Sequence, residues 1–255
     1  MARKKKRSSS KSFYKIFFWL CIVFAGIYYA VNFLIIQPHI FYPGFQIQIP
    51  NGYEIHGIDV SRYQQTINWK EVKEMKVKGI KVGFAIIKAT EGKSHVDPEF
   101  RRNWLNADLQ DIPKGAYHFF IPGRDAKSQA QNFIQIVNLK KGDLPPALDV
   151  EISGKVSVNE MRKEVKIWMD AVEKHYGIKP VIYTNLNFYQ KYFQQGFDDY
   201  PLWIAHYLQP DKPRIDNKWM LWQHSESGRV NGIKAPVDFN IFYGDSTEFN
   251  DFLIQ

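Results

Sequence analysis

Several acidic residues fall where they could act together. In Ala147-Leu148-Asp149-Val150-Glu151 two carboxyls stand at i and i+2 at the end of a short apolar run. On a β-strand that spacing projects both from one face. A lone acid sits in Ile58-Asp59-Val60, and another in Val237-Asp238-Phe239-Asn240. Taken singly, Asp149 or Asp238 is equally well explained as the cap of a helix or turn. The paired spacing after Pro145-Pro146 is harder to explain that way. Carboxyls held close together raise one another's pKa, so one stays protonated beside a charged neighbour. Glycosidic-bond hydrolysis uses that combination: a general acid and a second carboxyl group.

Aromatic and amide residues accompany these acids: Tyr63-Gln64, Tyr117-His118-Phe119, Tyr183-Thr184-Asn185, Trp203, His206-Tyr207 and Trp222-Gln223-His224. Sugars present flat CH faces and many hydroxyls, which such a lining suits, although ordinary core packing accounts for any one aromatic as well. The candidate catalytic residues are Glu151, Asp149, Asp59 and Asp238. The candidate substrate contacts are Tyr63, Lys88, Tyr117, His118, Tyr183, Trp203, Tyr207 and Gln223. The seven histidines show no H-x-x-x-H or H-E-x-x-H spacing, and no serine lies in a G-x-S-x-G context. No metal and no cofactor are expected.

The elements that must position these residues alternate. Short β-rich runs occupy Ile55–Val60, Val82–Lys88, Gly115–Phe120, Ala147–Val150, Val181–Thr184, Leu202–His206, Met220–Gln223 and Val237–Phe242. Several are continuously apolar, as strands buried on both faces are. Helical signals fall between them. Asp97-Pro98-Glu99 has the form of an N-terminus with Phe100 and Trp104 on one face after it. Ala130, Phe133, Ile134 and Val137 follow helical spacing. Ser157-x-x-Glu160 has the form of a capping box, followed by a stripe of Met161, Val165, Trp168, Met169 and Val172 that Gly177 and Pro180 end. Beyond Pro180 helices are weak or absent, and Asp198–Pro201 and Gln209–Lys218 read as loops. The pattern predicts an α/β fold, an irregular TIM-like (β/α) barrel of eight strands with fewer than eight helices. A doubly wound open sheet is the alternative, but it normally brings a Gly-rich phosphate loop, and none is present.

The N-terminus has a different character. Of 34 Lys and Arg against 26 Asp and Glu, seven bases and no acid fall in residues 1–37. They account for nearly all of the net charge of +8, so the basicity belongs to a tail and does not point to nucleic acid. Residues 13–36, FYKIFFWLCIVFAGIYYAVNFLII, form a long apolar run behind this basic cluster. The expectation is a transmembrane signal-anchor, with residues 1–12 as a cytoplasmic tail and the C-terminal domain exported. A cleaved signal peptide would have a shorter apolar core and a small-x-small site, which Gln37-Pro38-His39 does not supply. The sole cysteine, Cys21, lies inside this run, so a disulfide framework is excluded. Residues 37–54 are a stalk, or a first hairpin packed on the domain, and the domain proper runs over 55–255. A hydrophobic share of 45% and a charged share of 24% are those of a globular chain.

In order along the chain stand HGIDVSRYQ (56–64), GFAIIKATEG (83–92), KGAYHFF (114–120), PALDVE (146–151), PVIYTN (180–185), PLWIAHY (201–207), LWQH (221–224) and VDFN (237–240). Together these resemble glycoside hydrolase family 25, the Chalaropsis-type lysozymes. The resemblance implies a modified β/α barrel with N-acetylmuramidase activity on the β-1,4 bond from N-acetylmuramic acid to N-acetylglucosamine in peptidoglycan. It implies Glu151 as proton donor, Asp149 as the acid that stabilises or positions the intermediate, and Asp59 and Asp238 as further acids of the cleft. Expected partners are peptidoglycan strands and, through residues 13–36, a lipid bilayer. The expected location is the bacterial cytoplasmic membrane, single-pass, with the domain on the extracytoplasmic side as a monomer. A related glycosidase acting on chitin-like or N-glycan chains, and a non-enzymatic cell-wall binding module, are the alternatives.

Overall fold

The computed structural model describes residues 10–30 and 39–255. Helix α1 covers Ser10–Ala30. The hairpin β1 (His39–Tyr42) and β2 (Ile47–Pro50) follows. Then come β3 (Ile55–Val60), α2 (Trp69–Glu74), β4 (Lys76–Val77), β5 (Ile80–Glu91), β6 (His95–Val96), α3 (Phe100–Asp108), β7 (Lys114–Phe119) and α4 (Ala126–Ile136). The chain continues through β8 (Ala147–Asp149), α5 (Val158–Tyr176), β9 (Val181–Asn185), α6 (Leu186–Phe188), β10 (Leu202–Ala205), β11 (Leu221–Gly228), β12 (Val237–Phe242) and α7 (Ser246–Phe252).

Eight strands form a closed ring in the order β3, β12, β11, β10, β9, β8, β7, β5, and β5 pairs back onto β3. They coincide with the eight predicted runs. One departs from a parallel barrel: β12 runs antiparallel to both β11 and β3. Only residues 229–236 separate β11 from β12, and a parallel return needs a crossover of about a dozen residues or more. The long helices α3, α4 and α5 all lie in the first half of the ring. Between β9 and β10 there is only the single-turn α6 and a π-turn at Tyr189–Phe193.

Side-chain alternation divides the barrel interior into layers. Phe84 and Ile86 on β5, Ala147 on β8, Val181 and Tyr183 on β9, Trp203 on β10, Leu221 on β11 and Phe242 on β12 form an apolar floor, closed by Phe249 of α7. Gly57 on β3 must be glycine, because a Cβ there would lie 2.4 Å from the Phe84 ring. Two residues further along the same inward rows the lining turns polar, with Asp59, Lys88, Asp149 and Gln223. The opposite rows pack outward against the helices. The predicted α5 stripe of Met161, Val165, Trp168, Met169 and Val172 is fully buried there, each such side chain contributing about 1.5–3 kcal/mol of hydrophobic stabilisation. Ser157 accepts a hydrogen bond from Glu160 N at 3.2 Å and Gly177 closes the helix at φ +71°. Helix α3 starts later than predicted, at Phe100; the Asp97 carboxylate accepts from Glu99 N (2.9 Å) through one oxygen and from Arg62 N (3.0 Å) through the other.

Of the two readings of residues 37–54, the structure contains the hairpin. Its turn buries Phe45, whose ring centroid lies 5.0 Å from that of Phe239 on β12. The packed domain therefore begins before residue 55. Among the described residues no helix is long and apolar enough to cross a membrane. The apolar part of α1, from Phe13 to Ala30, would extend about 27 Å at 1.5 Å per residue, short of the ~30 Å hydrocarbon core. The rest of the predicted span, residues 31–36, and most of the basic tail lie outside the described residues.

Candidate active site

A cavity of about 250 Å³ opens at the C-terminal end of the parallel strands. Asp59, Asp149, Glu151 and Asp238 all line it, with Tyr63, Lys88, Tyr117, Tyr183, Trp203, Tyr207 and Gln223. Asp238 arrives by a different route from the others. It stands near the start of β12, and because that strand is antiparallel its start lies at the same mouth, where Asp238 pairs in register with Asp59. A larger cleft of about 870 Å³ adjoins through Tyr63 and Gln64 but has Glu71 as its only carboxylate, so the acid chemistry belongs to the smaller cavity.

Asp59 is the best-held group. Its Oδ2 accepts from Gln223 Nε2 at 2.8 Å and from Asn240 Nδ2 at 2.7 Å. Neither amide can turn around. Gln223 Oε1 accepts from the hydroxyls of Tyr183 (2.8 Å) and Tyr207 (2.6 Å), and Asn240 Oδ1 accepts from Trp203 Nε1 (2.7 Å). Burial pushes Asp59 above the usual carboxylate range, and the two donor chains that converge on one carboxylate oxygen oppose that shift, because hydrogen bonds of this kind favour the charged form. Asp238 is hydrogen-bonded to Asp59 and carries the proton of the pair. Burial, then the Asp59 charge and that hydrogen bond, push its pKa up to about 9.

Asp149 is buried at the end of β8, and its Oδ1 has no hydrogen-bond partner among the described residues. Burial first, and then the Glu151 charge, push it well above the usual carboxylate range against the pull of Lys88. Glu151, just past the strand end, is exposed at the mouth. Partial desolvation followed by the charge of Asp59 pushes it up as well, again against Lys88. A raised glutamic acid open to the cavity is placed to release a proton to something bound there.

Two of the predicted contacts have other duties. His118 faces away from the cavity because alternation puts Tyr117 and Phe119 on the inner face. It is fully buried, with Nδ1 2.7 Å from the Thr90 hydroxyl, Nε2 3.2 Å from Gln129 Oε1, and its ring stacked 5.7 Å from Trp168. Trp203 touches the cavity but is only 1% exposed. It packs 4.4 Å from Tyr183 and orients Asn240, leaving little surface to offer a sugar. Tyr63 does offer surface: it is 69% exposed, on a single 3₁₀ turn capped by Ser61 and Gln64.

Three participants escaped the sequence reading. Glu91 forms a 2.7 Å ion pair with Lys88, three positions away on the same strand. Asn240 supports Asp59, a role that its i+2 spacing from Asp238 could have signalled. Glu226 also lines the cavity, where strict strand alternation from Gln223 would turn it outward.

The sequence profile of glycosyl hydrolases family 25 matches residues 58–233. The chain belongs to glycosyl hydrolases family 25. This family 25 hydrolase is 47% identical over 209 residues to the protein YegX of Escherichia coli K12, covering 82% of this chain and 77% of that one. It is 32% identical over 207 residues to lysozyme M1 of Streptomyces globisporus, covering 75% and 69%. A family 25 glycosyl hydrolase of Bacillus anthracis superposes on it with a TM-score of 0.74 at 34% identity, covering 81% of this chain and 96% of that structure.

Proposed function

We propose that this enzyme cleaves the β-1,4 bond from N-acetylmuramic acid to N-acetylglucosamine in peptidoglycan, with Glu151 as proton donor. The observation that carries this reading is the arrangement of Asp149 and Glu151 at one strand end, opposite the Asp59–Asp238 pair, in a cavity rimmed by an exposed tyrosine. Glu151 delivers its proton to the leaving oxygen. Asp149 stands beside it to face the positive charge that develops at the anomeric carbon or on the sugar's acetamido group. Together with partial burial, the charge of Asp59, positioned by its two amides and Asp238, helps keep Glu151 protonated between turnovers. Tyr63, Tyr117, Tyr207 and Gln223 shape the walls along which the glycan lies.

Support for peptidoglycan as substrate comes from the family and from relatives named as lysozymes. The test is release of soluble muropeptides from purified peptidoglycan, with mass analysis of the new reducing end. Glu151→Gln should lower the rate at least 10²–10⁴-fold with folding and glycan binding preserved, and Asp149→Asn should be severe as well. Wild-type rates from Glu151→Gln would remove the proton donor. A new reducing end on N-acetylglucosamine would assign a different bond.

We further propose that residues 13–36 hold the enzyme in the bacterial cytoplasmic membrane as a single-pass anchor, with the basic tail inside and the barrel outside. Supporting this is α1, whose apolar side chains from Phe13 to Tyr29 are largely exposed, behind a cluster of bases. Removing residues 1–36 should move the activity from the membrane pellet to the soluble fraction. Retention in the pellet would refute the anchor.

A further inference from the structure

Strand β11 is irregular where it passes the cavity. Gln223 pairs with Asn240, Ser225 with Phe239 and Gly228 with Val237, with a register shift on each side of Ser225. Between the last two pairings, two β11 residues stand opposite Asp238 alone. Strict alternation from Gln223 would point Ser225 and Ser227 inward and Glu226 outward. The shifts reverse this. Glu226 lines the catalytic cavity and its charge acts on Asp238 and Tyr207, whereas Ser225 and Ser227 line a separate outer cavity beside the β1–β2 hairpin. Bulges beside active sites are a known means of re-aiming a side chain.

The carboxylate so placed is exposed and, among the described residues, has no hydrogen-bond or ion-pair partner. Of the other four carboxyls of the cavity, Asp59 and Asp238 share a proton, while burial and neighbouring charge push Asp149 and Glu151 above the usual carboxylate range. The one cation among the lining residues, Lys88, is already neutralised by Glu91 at 2.7 Å. The rim therefore presents an unpaired negative charge to whatever enters, and the lining has no free positive charge to offset it.

We propose that Glu226 is a specificity-determining residue that favours glycan chains presenting a primary ammonium group at the cavity rim. This rests on the reading of the enzyme as a peptidoglycan hydrolase. In that polymer a primary ammonium has two sources: the 2-amino group of a de-N-acetylated sugar, and the free amine of a diamino acid in a stem peptide.

Three substrates separate these sources: peptide-free, fully N-acetylated strands; the same strands partly de-N-acetylated; and acetylated strands bearing stem peptides with a free amine. The readout is kcat/KM on each amine-bearing substrate divided by that on the plain acetylated strand, for the full-length wild type, Glu226→Gln and Glu226→Asp at low salt. In Glu226→Gln the ratio should fall about fivefold in at least one amine-bearing arm, the size of one accessible charge pair. Glu226→Asp should retain part of the preference. Added salt should erode the wild-type ratio but not that of Glu226→Gln. Identical ratios in all three proteins would overturn the proposal. Binding of the same strands in a Glu151→Gln background, with and without Glu226→Gln, gives the preference without cleavage. If the wild type cut none of the strands, the hydrolase reading would fail, while the binding ratios would still decide the role of Glu226.

Discussion

Replacing Asp238 by Asn should change how the stability of the barrel depends on pH. The folded-state pKa of Asp238 is about 9, against 3.8 for an ordinary aspartate. Between those values the folded protein carries a proton that the unfolded chain has released. Stability from this group is therefore fully present below about pH 4, falls as pH rises, and is lost once pH passes about 9. One proton corresponds to about 1.4 kcal/mol per pH unit. From pH 5 to pH 8 the wild type should lose up to about 4 kcal/mol through Asp238, an upper limit because its proton is shared with Asp59. The amide of Asp238→Asn donates a hydrogen bond as the protonated acid does, and it does not titrate. The stability of the variant relative to wild type should thus increase steadily over this range. Contributions from Asp149 and Glu151 occur in both proteins and largely cancel in the difference. Urea unfolding midpoints of both proteins at pH 5, 6, 7 and 8 measure it. A difference that stays constant within about 0.5 kcal/mol would show that Asp238 does not carry the proton of the pair.

His118→Leu should lower the melting temperature while leaving kcat/KM within about twofold, since it removes buried hydrogen bonds worth roughly 1–3 kcal/mol from the helix side of β7; a selective loss of kcat with an unchanged melting temperature would return His118 to the site. Trp203→Phe keeps an aromatic in the floor but leaves Asn240 Oδ1 without its donor. It should cost about 1–3 kcal/mol and lower kcat through a loosened Asp59; full stability with a raised KM alone would mean that Trp203 contacts the sugar directly. Tyr207→Phe removes one of two donors to Gln223 and should be milder than Tyr183→Phe combined with it, a comparison that activity and stability assays on the two single variants and the double variant provide.

The eight barrel strands were legible because strands buried on both faces read as unbroken apolar runs, and helix α5 because its stripe, first-turn acid and terminal glycine agree. The paired acids were legible from their i+2 spacing at the end of an apolar run, and both line the cavity although β8 itself ends at Asp149. The rest depended on facts that local pattern does not carry. The direction of β12 follows from a connection too short for a crossover, which becomes visible only once the end of β11 is known. His118 lies one position off the inward row, and neighbouring residues with similar chemistry cannot be sorted until the phase of the strand is fixed. Trp203 and Asn240 are 37 residues apart in the chain, so nothing local tells a sugar-stacking indole from one that holds an amide in place. Glu226 was hidden by the irregular register that brings it inward.

The antiparallel last strand also affects timing. The groups that fix Asp59 come from the far end of the chain, with 181 positions separating it from Asn240. A ribosome must finish almost the entire domain before β3, which can pair early with β5, meets its second partner β12. Contacts of such long sequence separation form late and slowly, and domains complete their folding as units once synthesised. A nascent or prematurely terminated chain therefore has Asp59 without Asn240 or Asp238, and its incomplete ring cannot assemble the proton-sharing pair. The supported Asp59 carboxylate is thus among the last features of the cavity to assemble.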